Sequence, residues 1–263
     1  MGLILHAESC AAGRKVDKGV MDILNFREPV SAWTHGVGLL LAVFGAVVLV
    51  RRSGGDVGKR VSLLVYGLSL IFCYAASTLY HGVRVGEDRV GVYMRVDSVG
   101  IFALIAGSYT PLAWNLMRGT WRYCTLGAVW GTAAVSAVMI ASGRPFSPVV
   151  GTCVYLGMGW GIVVCYARVA RVVSHRAMVP IVVGGVFYSV GAVLNVMHWP
   201  NLWPGVFGAH ELFHLFVMAG SLAHYMFLLC VVVPLGRGDT GGAAASAAPA
   251  RPDPVRRASP RPG

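Results

Sequence analysis

Charged residues are scarce in this sequence. Aspartate, glutamate, lysine and arginine make up 13% of the 263 residues, hydrophobic residues make up 56%, and the mean hydropathy is +0.65. Soluble globular domains contain about 25% charged residues. The shortage of charge, together with long uncharged runs, excludes an ordinary soluble domain and predicts a chain that crosses a membrane several times.

Closely spaced cysteines and a leader segment are also missing. The six cysteines contain no C-x-x-C motif and five of them lie in apolar runs, so we expect buried, reduced thiols and no disulfide or zinc framework. The first 29 residues have no apolar core of about 7–15 residues, so no cleavable signal peptide is expected. The net charge of +11 comes largely from clusters between apolar runs, which are typical of loops at lipid head groups and argue against nucleic acid as a partner.

Seven apolar segments are long enough to cross a bilayer, which takes about 20 helical residues. They predict an all-α fold, a polytopic membrane protein whose seven-transmembrane-helix bundle covers residues 30–233. Residues 1–29 are expected to lie outside the membrane, and the Ala/Pro/Arg-rich tail, residues 234–263, is expected to be disordered. The predicted spans are Val30–Val50, Val61–His81, Val96–Met117, Trp121–Ala141, Val149–Ala170, Met178–Val196 and Ala209–Val233.

Ionisable residues are rare inside these spans, and each one is by default a functional hypothesis. Odd-numbered spans begin on the side of the membrane where even-numbered spans end. This rule places five such residues on the N-terminal side, within about two helical turns of one level: His35, His81, Asp97, His210 and His214.

Three of these histidines are predicted to bind one metal ion. Residues four apart share a helix face, so His210 and His214 can reach the same ion, and His81 approaches from a second span. Three imidazoles leave one ligand position open for water, as in catalytic zinc sites. Asp97 is then expected to accept a hydrogen bond from that water or to act as a general base, and Ser77, four residues before His81, to orient the water or a substrate carbonyl group.

The alternative is that these side chains serve only packing. A membrane histidine often makes a hydrogen bond between helices, and this is the interpretation adopted for His224, which lies about 21 Å along the helix from His210. His35 is expected to be structural or to support a ligand. Without a metal, Asp97 would be a helix-start residue or a partner of a loop arginine, and Ser77 a packing hydroxyl.

The stretch "HELFH" at residues 210–214 also matches the H-E-x-x-H zinc signature of metalloproteases. The metzincin continuation is absent, because Val217 and Gly220 stand where a glycine and a third histidine are required. No acidic residue follows within the spans to act as a third ligand. The protease hypothesis therefore lacks a ligand, and Glu211, turned about 100° from His210, is expected to face the interface or another helix.

Four stretches in order resemble the hemolysin III proteins, the bacterial branch of the progestin and adipoQ receptor family that includes the adiponectin receptors. They are "REPVSAWTHGVG", "STLYH", "RVDSVGIFALIAGSYTP" and "GVFGAHELFHLFVMAGSLAHY". The resemblance extends over the whole membrane region, from about Phe26 to Pro234.

This resemblance implies a seven-helix bundle with a zinc ion near its cytoplasmic face and a topology inverted relative to G-protein-coupled receptors. The family serine and histidine of span two fall on Ser77 and His81, the aspartate of span three on Asp97, and the histidines of span seven on His210 and His214. The family also implies a location in the cell membrane with a cytoplasmic N-terminus, although lysine and arginine are more numerous on the opposite side.

The function expected from the residues and the resemblance together is zinc-dependent hydrolysis of a membrane lipid amide, as in the related alkaline ceramidases. Zn²⁺ is the expected cofactor and a membrane lipid the expected substrate or ligand. Two alternatives stay open. One is a haemolysin or pore-forming cytolysin, as the family name implies, and the other is a receptor or sensor of membrane homeostasis in which zinc is structural.

Overall fold

The computed structural model describes residues 26–236. Across this range the chain is α-helical, with an isolated bridge between Trp203 and Phe207 and no β-strand. The helices are α1 (Pro29–Arg52), α2 (Val57–Gly82), α3 (Glu87–Leu116), α4 (Gly119–Ala141), α5 (Pro148–Trp160), α6 (Ile162–Val169), α7 (Val179–Met197) and α8 (Ala209–Phe227). A 3-10 turn, Arg176–Met178, precedes α7, and a π-helical turn, Leu228–Val232, follows α8. The expected external N-terminal segment lies mostly outside the described residues, as does almost all of the expected disordered tail.

The prediction of seven membrane spans in an all-α fold is confirmed. In the part of the chain that the structure describes, seven helical segments are long and apolar enough to cross a bilayer, with α5 and α6 forming one of them. Their outward faces carry large apolar side chains, such as Leu40, Phe44 and Val164, each more than 70% exposed. Such an apolar surface is unfavourable in water and is expected to contact lipid. The chain is therefore a multi-pass membrane protein.

The spans form a closed ring. Neighbours around it are α1, α2, α3, α5, α7 and α8, with α8 returning to α1, and α4 packs against α3. Small residues allow close approach, as membrane helix contacts generally require. A Cβ added at Gly67 of α2 would lie 2.7 Å from Ala46 Cβ of α1, and one at Gly45 of α1 would lie 2.9 Å from the Tyr225 ring of α8. This closure brings the C-terminal end of α2 next to the N-terminal start of α8.

Three spans have features that the sequence did not predict. The third span begins as a helix at Glu87 and not at Val96, so Asp97 lies almost three turns inside α3. The fifth span is interrupted at Gly161, near which the Tyr109 hydroxyl lies 2.7 Å from the Met158 carbonyl oxygen and 2.8 Å from that of Gly159. The seventh span ends in a π-helical turn in which the Val233 N–H donates to the Leu228 carbonyl.

The cysteine prediction is correct in one respect and wrong in another. The five cysteines of the described range are free thiols. Cys73 and Cys165 are buried as expected, whereas Cys124, Cys153 and Cys230 are exposed on the outside of the bundle. An apolar run predicts burial in the membrane, and lipid as well as protein can provide that environment.

Candidate metal site

Three histidines meet at one end of the bundle. His81 belongs to the last turn of α2, while His210 and His214 belong to the first two turns of α8. One ring nitrogen from each residue lies within 4.8 Å of the other two, and the Nε2 atoms of His81 and His210 are 3.3 Å apart. His81 and His214 are each 1% exposed. Parity and helical spacing therefore predicted which histidines share this space.

Each of the three rings also has a hydrogen-bond partner at Nδ1. For His81 the partner is the Glu28 carboxylate, at 2.5 Å, and for His210 it is the Asn195 side-chain oxygen, at 3.1 Å. For His214 it is the Thr34 hydroxyl oxygen, at 3.4 Å.

These partners fix which nitrogen of each ring remains available. The Thr34 hydroxyl donates to backbone carbonyls of its own helix, so its oxygen is an acceptor toward His214. A metal-binding histidine commonly donates one ring N–H to such an acceptor and binds the metal through the other nitrogen. In all three rings Nδ1 has such a partner, so Nε2 is the nitrogen left free to bind a metal.

The three nitrogens, all within 4.8 Å of one another, are of a kind and number that a tetrahedral metal site uses. Zinc–nitrogen bonds of about 2.0–2.1 Å place neighbouring ligand atoms roughly 3.3 Å apart, which is the separation between the His81 and His210 Nε2 atoms. Imidazole nitrogen is a favoured zinc ligand, and three protein ligands leave a fourth position for a small molecule.

Asp97 and Ser77 lie beside this cluster. The Asp97 carboxylate on α3 lies within hydrogen-bonding reach of the Ser77 hydroxyl on α2. Ser77 is 2% exposed, while Asp97 is partly exposed. Both line the cavity that also reaches His210 and His214. The site therefore combines a carboxylate and a hydroxyl with the three imidazoles.

The cavity extends from this polar end into the bundle and has a volume of about 470 Å³. Most of its remaining lining is apolar, including Leu104, Ile105, Leu112, Val182 and Val217. Small-molecule sites commonly measure about 300–1,000 Å³ and combine apolar walls with a few polar groups. Its shape and lining suit a molecule with one polar group and an apolar chain.

The two remaining membrane histidines are not members of the triad. His35 is buried and stacks on the His214 ring, with the ring centroids 3.7 Å apart, and its edge contacts Tyr74. His224 lies between α7 and α8, with Nε2 at 3.2 Å from the Ile181 carbonyl oxygen. The prediction that His224 makes a hydrogen bond between helices is confirmed, and His35 supports the ring of a candidate ligand.

Glu211, the acid of "HELFH", caps the start of α8. One carboxylate oxygen accepts a hydrogen bond from the Gly208 backbone N–H at 2.8 Å, and the other accepts one from the Ser31 hydroxyl at 3.1 Å. Both oxygens are thus committed to holding α8 at its N-terminus and against α1. This arrangement differs from that of a zincin, whose glutamate serves as general base.

Glu28 is the residue immediately before α1. Burial raises the pKa of its carboxyl group, but the hydrogen bond from His81 and the charge of the nearby Arg27 more than offset this effect. The pKa of Glu28 is therefore held below its usual value, and the residue is ionised at neutral pH.

Sequence reasoning missed all three acceptors of the Nδ1 hydrogen bonds. Thr34 and Asn195 lie inside predicted spans on the same side as the histidines, so the parity rule would have found them if uncharged polar residues had been included. Glu28 lies before the first predicted span, and acidic residues are common outside the membrane, so the sequence gives no sign of its role. Its position beside His81 depends on chain packing, which no spacing reveals.

Comparison with known proteins places these features in a family. Residues 24–225 match the sequence model of a protein family described as "Haemolysin-III related". The chain belongs to the haemolysin-III-related family. It is 30% identical over 211 residues to "Hemolysin-3 homolog" of Bacillus subtilis (strain 168), covering 79% of this chain and 96% of that protein. With "Hemolysin-3" of Bacillus cereus it shares 30% identity over 211 residues, covering 79% and 92%.

The family relationship extends to plant heptahelical proteins. The chain is 28% identical over 171 residues to "Heptahelical transmembrane protein ADIPOR3" of Oryza sativa subsp. japonica, covering 59% of this chain and 42% of that protein. This haemolysin-III-related membrane protein is thus related to adiponectin receptor-like proteins, as the four sequence stretches had indicated.

The capping role of Glu211 gives a direct prediction. Glu211→Ala removes two hydrogen bonds at the start of α8, so the free energy of unfolding is expected to fall by about 1–2 kcal/mol, measured as thermal unfolding of the detergent-purified protein. Bound metal, measured by mass spectrometry, is expected to stay at the wild-type level. Glu87→Ala, at an exposed acid in the first turn of α3, is the matched control. Loss of metal without loss of stability would contradict the capping role.

Proposed function

We propose that this protein is a zinc-dependent hydrolase that cleaves an amide bond in a membrane lipid. One observation carries the proposal: three imidazoles, each with a hydrogen-bond partner at Nδ1, converge beside a carboxylate and a hydroxyl, and His210 and His214 line a largely apolar cavity. A lipid offers the matching chemistry, because its polar group can reach the histidine end while its chain occupies the apolar remainder.

His81, His210 and His214 would hold the metal. Zinc is favoured by an all-imidazole donor set with three protein ligands. When bound, it supplies Lewis-acid activation of water and of a carbonyl group. The charge of the ion is balanced by two carboxylates at the cluster, Glu28 and Asp97, which favours its retention at a membrane depth where a lone charge is unfavourable.

Asp97 would act as the general base. Its carboxylate accepts the proton of the attacking water and can return it to the departing amine nitrogen, so that water adds across the carbon–nitrogen bond to give a carboxylic acid and an amine. Ser77, whose hydroxyl donates to the Asp97 carboxylate, would turn to donate to the amide carbonyl oxygen once Asp97 has taken up the proton of the water. The preference for an amide comes from the resemblance to the alkaline ceramidases.

A pore-forming role is suggested by the names of the Bacillus relatives, "Hemolysin-3" and its homolog. An aqueous pore requires a polar path along its length, whereas the lining of this cavity is mostly apolar beyond the histidine cluster. A receptor or sensor with a purely structural zinc would require a closed site, usually with four protein ligands. The open triad beside Asp97 favours hydrolysis over both.

The catalytic role of Asp97 is tested by Asp97→Asn. Lipid-amide hydrolysis, measured as fatty-acid release from a ceramide in mixed micelles, is expected to fall by a factor of about 10²–10⁴ because the base is lost. Zinc content and thermal stability are expected to stay close to wild type. Asp88→Asn, at an exposed acid in the first turn of α3, is the control and should retain activity. Full activity of Asp97→Asn, or loss of the fold, would remove the support for a catalytic base.

We propose that the protein lies in the cell membrane with its N-terminus in the cytoplasm, which is the orientation that the family resemblance implies. The loops on the opposite side carry more arginine and lysine, and by the positive-inside rule they favour the reverse orientation. These two arguments conflict, so orientation requires its own experiment.

Cysteine labelling in intact bacterial cells decides the orientation. In a background with all six native cysteines replaced by serine, Arg118→Cys, just before α4, is expected to react with a membrane-impermeant maleimide. Glu87→Cys, at the start of α3 on the other side, is expected to react only after the cells are permeabilised. The opposite pattern of labelling would reverse the proposed orientation.

A further inference from the structure

We infer that Glu28 is a positioning residue whose carboxylate orients the His81 ring and presents its Nε2 atom to the metal. The inference rests on the proposed zinc site. It concerns the residue immediately before α1, which contributes no metal ligand and acts through His81.

The backbone brings Glu28 to this place independently of its side chain. The Glu28 N–H donates to the His81 carbonyl at 2.9 Å, and the Arg27 N–H donates to the Gly82 carbonyl at 3.4 Å. The Arg84 guanidinium donates to the Phe26 carbonyl at 3.0 Å. Residues 26–28 are thus fastened along the end of α2, the helix that carries His81.

The two oxygens of the Glu28 carboxylate have different partners. Oε2 accepts from His81 Nδ1, and Oε1 forms an ion pair with the Arg27 guanidinium at 3.2 Å. Arg27 is in turn held over the Tyr80 ring, 4.4 Å from its centroid. The carboxylate therefore has a defined orientation, and this orientation passes to the imidazole through a charge-assisted hydrogen bond.

Glu28 differs in charge from the partners of the other two rings. The acceptor for His210 is the neutral amide of Asn195, and the acceptor for His214 is the neutral hydroxyl of Thr34. A carboxylate fixes the tautomer of the ring, makes Nε2 a more basic ligand and offsets part of the charge of a divalent ion. Among the three acceptors, Glu28 is therefore expected to contribute most to metal affinity.

The test measures zinc affinity and not turnover. Purified wild type, Glu28→Gln and Glu28→Ala are stripped of metal and titrated with Zn²⁺ in competition with a fluorescent chelator. Glu28→Ala is expected to bind zinc roughly 10- to 100-fold more weakly, and Glu28→Gln, which keeps the side-chain volume and a neutral acceptor, to lie between it and wild type. At saturating zinc both variants should still bind about one ion per chain, since the three histidines remain.

Two comparisons make the result specific. Glu87→Gln removes an exposed acid on the same side of the membrane and should leave zinc affinity unchanged. Thermal unfolding of the metal-free proteins shows whether Glu28 serves only to fasten residues 26–28 to α2. Wild-type zinc affinity in both Glu28 variants would overturn the inference, whether or not the stability of the metal-free protein falls. Wild type that binds no zinc would instead defeat the proposed function itself.

Discussion

A buried imidazole has two ring nitrogens to satisfy, and at one end of this bundle three imidazoles share a single space. Polar groups that are removed from water remain costly unless they are paired. The chain supplies one partner to each ring, from three different segments: Glu28 before α1, Thr34 in α1 and Asn195 in α7. It leaves one nitrogen of each ring close to the other two, and a metal ion bound there would satisfy all three together.

The fold provides this meeting point through the order of its helices. Because α8 closes the ring against α1, and α1 packs on α2, the end of α2 and the start of α8 lie beside each other. Glu211 reinforces the arrangement by joining the start of α8 to Ser31 of α1. The same ring of helices surrounds the cavity of about 470 Å³. The packing that brings the three histidines together therefore also forms the space for an apolar chain.

The sequence predicts much of this because a membrane restricts what a chain can do. Apolar length determines the spans, and parity determines which span ends share a level, so His81, His210 and His214 could be grouped without coordinates. The break at Gly161 and the π-helical turn after Phe227 were not predicted, since hydropathy measures length and polarity but not backbone geometry. Glu28 was missed because its importance comes from contact with the end of α2, which is set by tertiary packing.

The central claim is that these three histidines bind a metal ion, and the most direct test is the metal content of the detergent-purified protein. Mass spectrometry is expected to find about one zinc per chain in the wild type and its loss in His214→Ala. A folded wild-type protein that carries no metal, when purified without chelator and supplied with zinc, would contradict the claim and leave the histidines as contacts between helices.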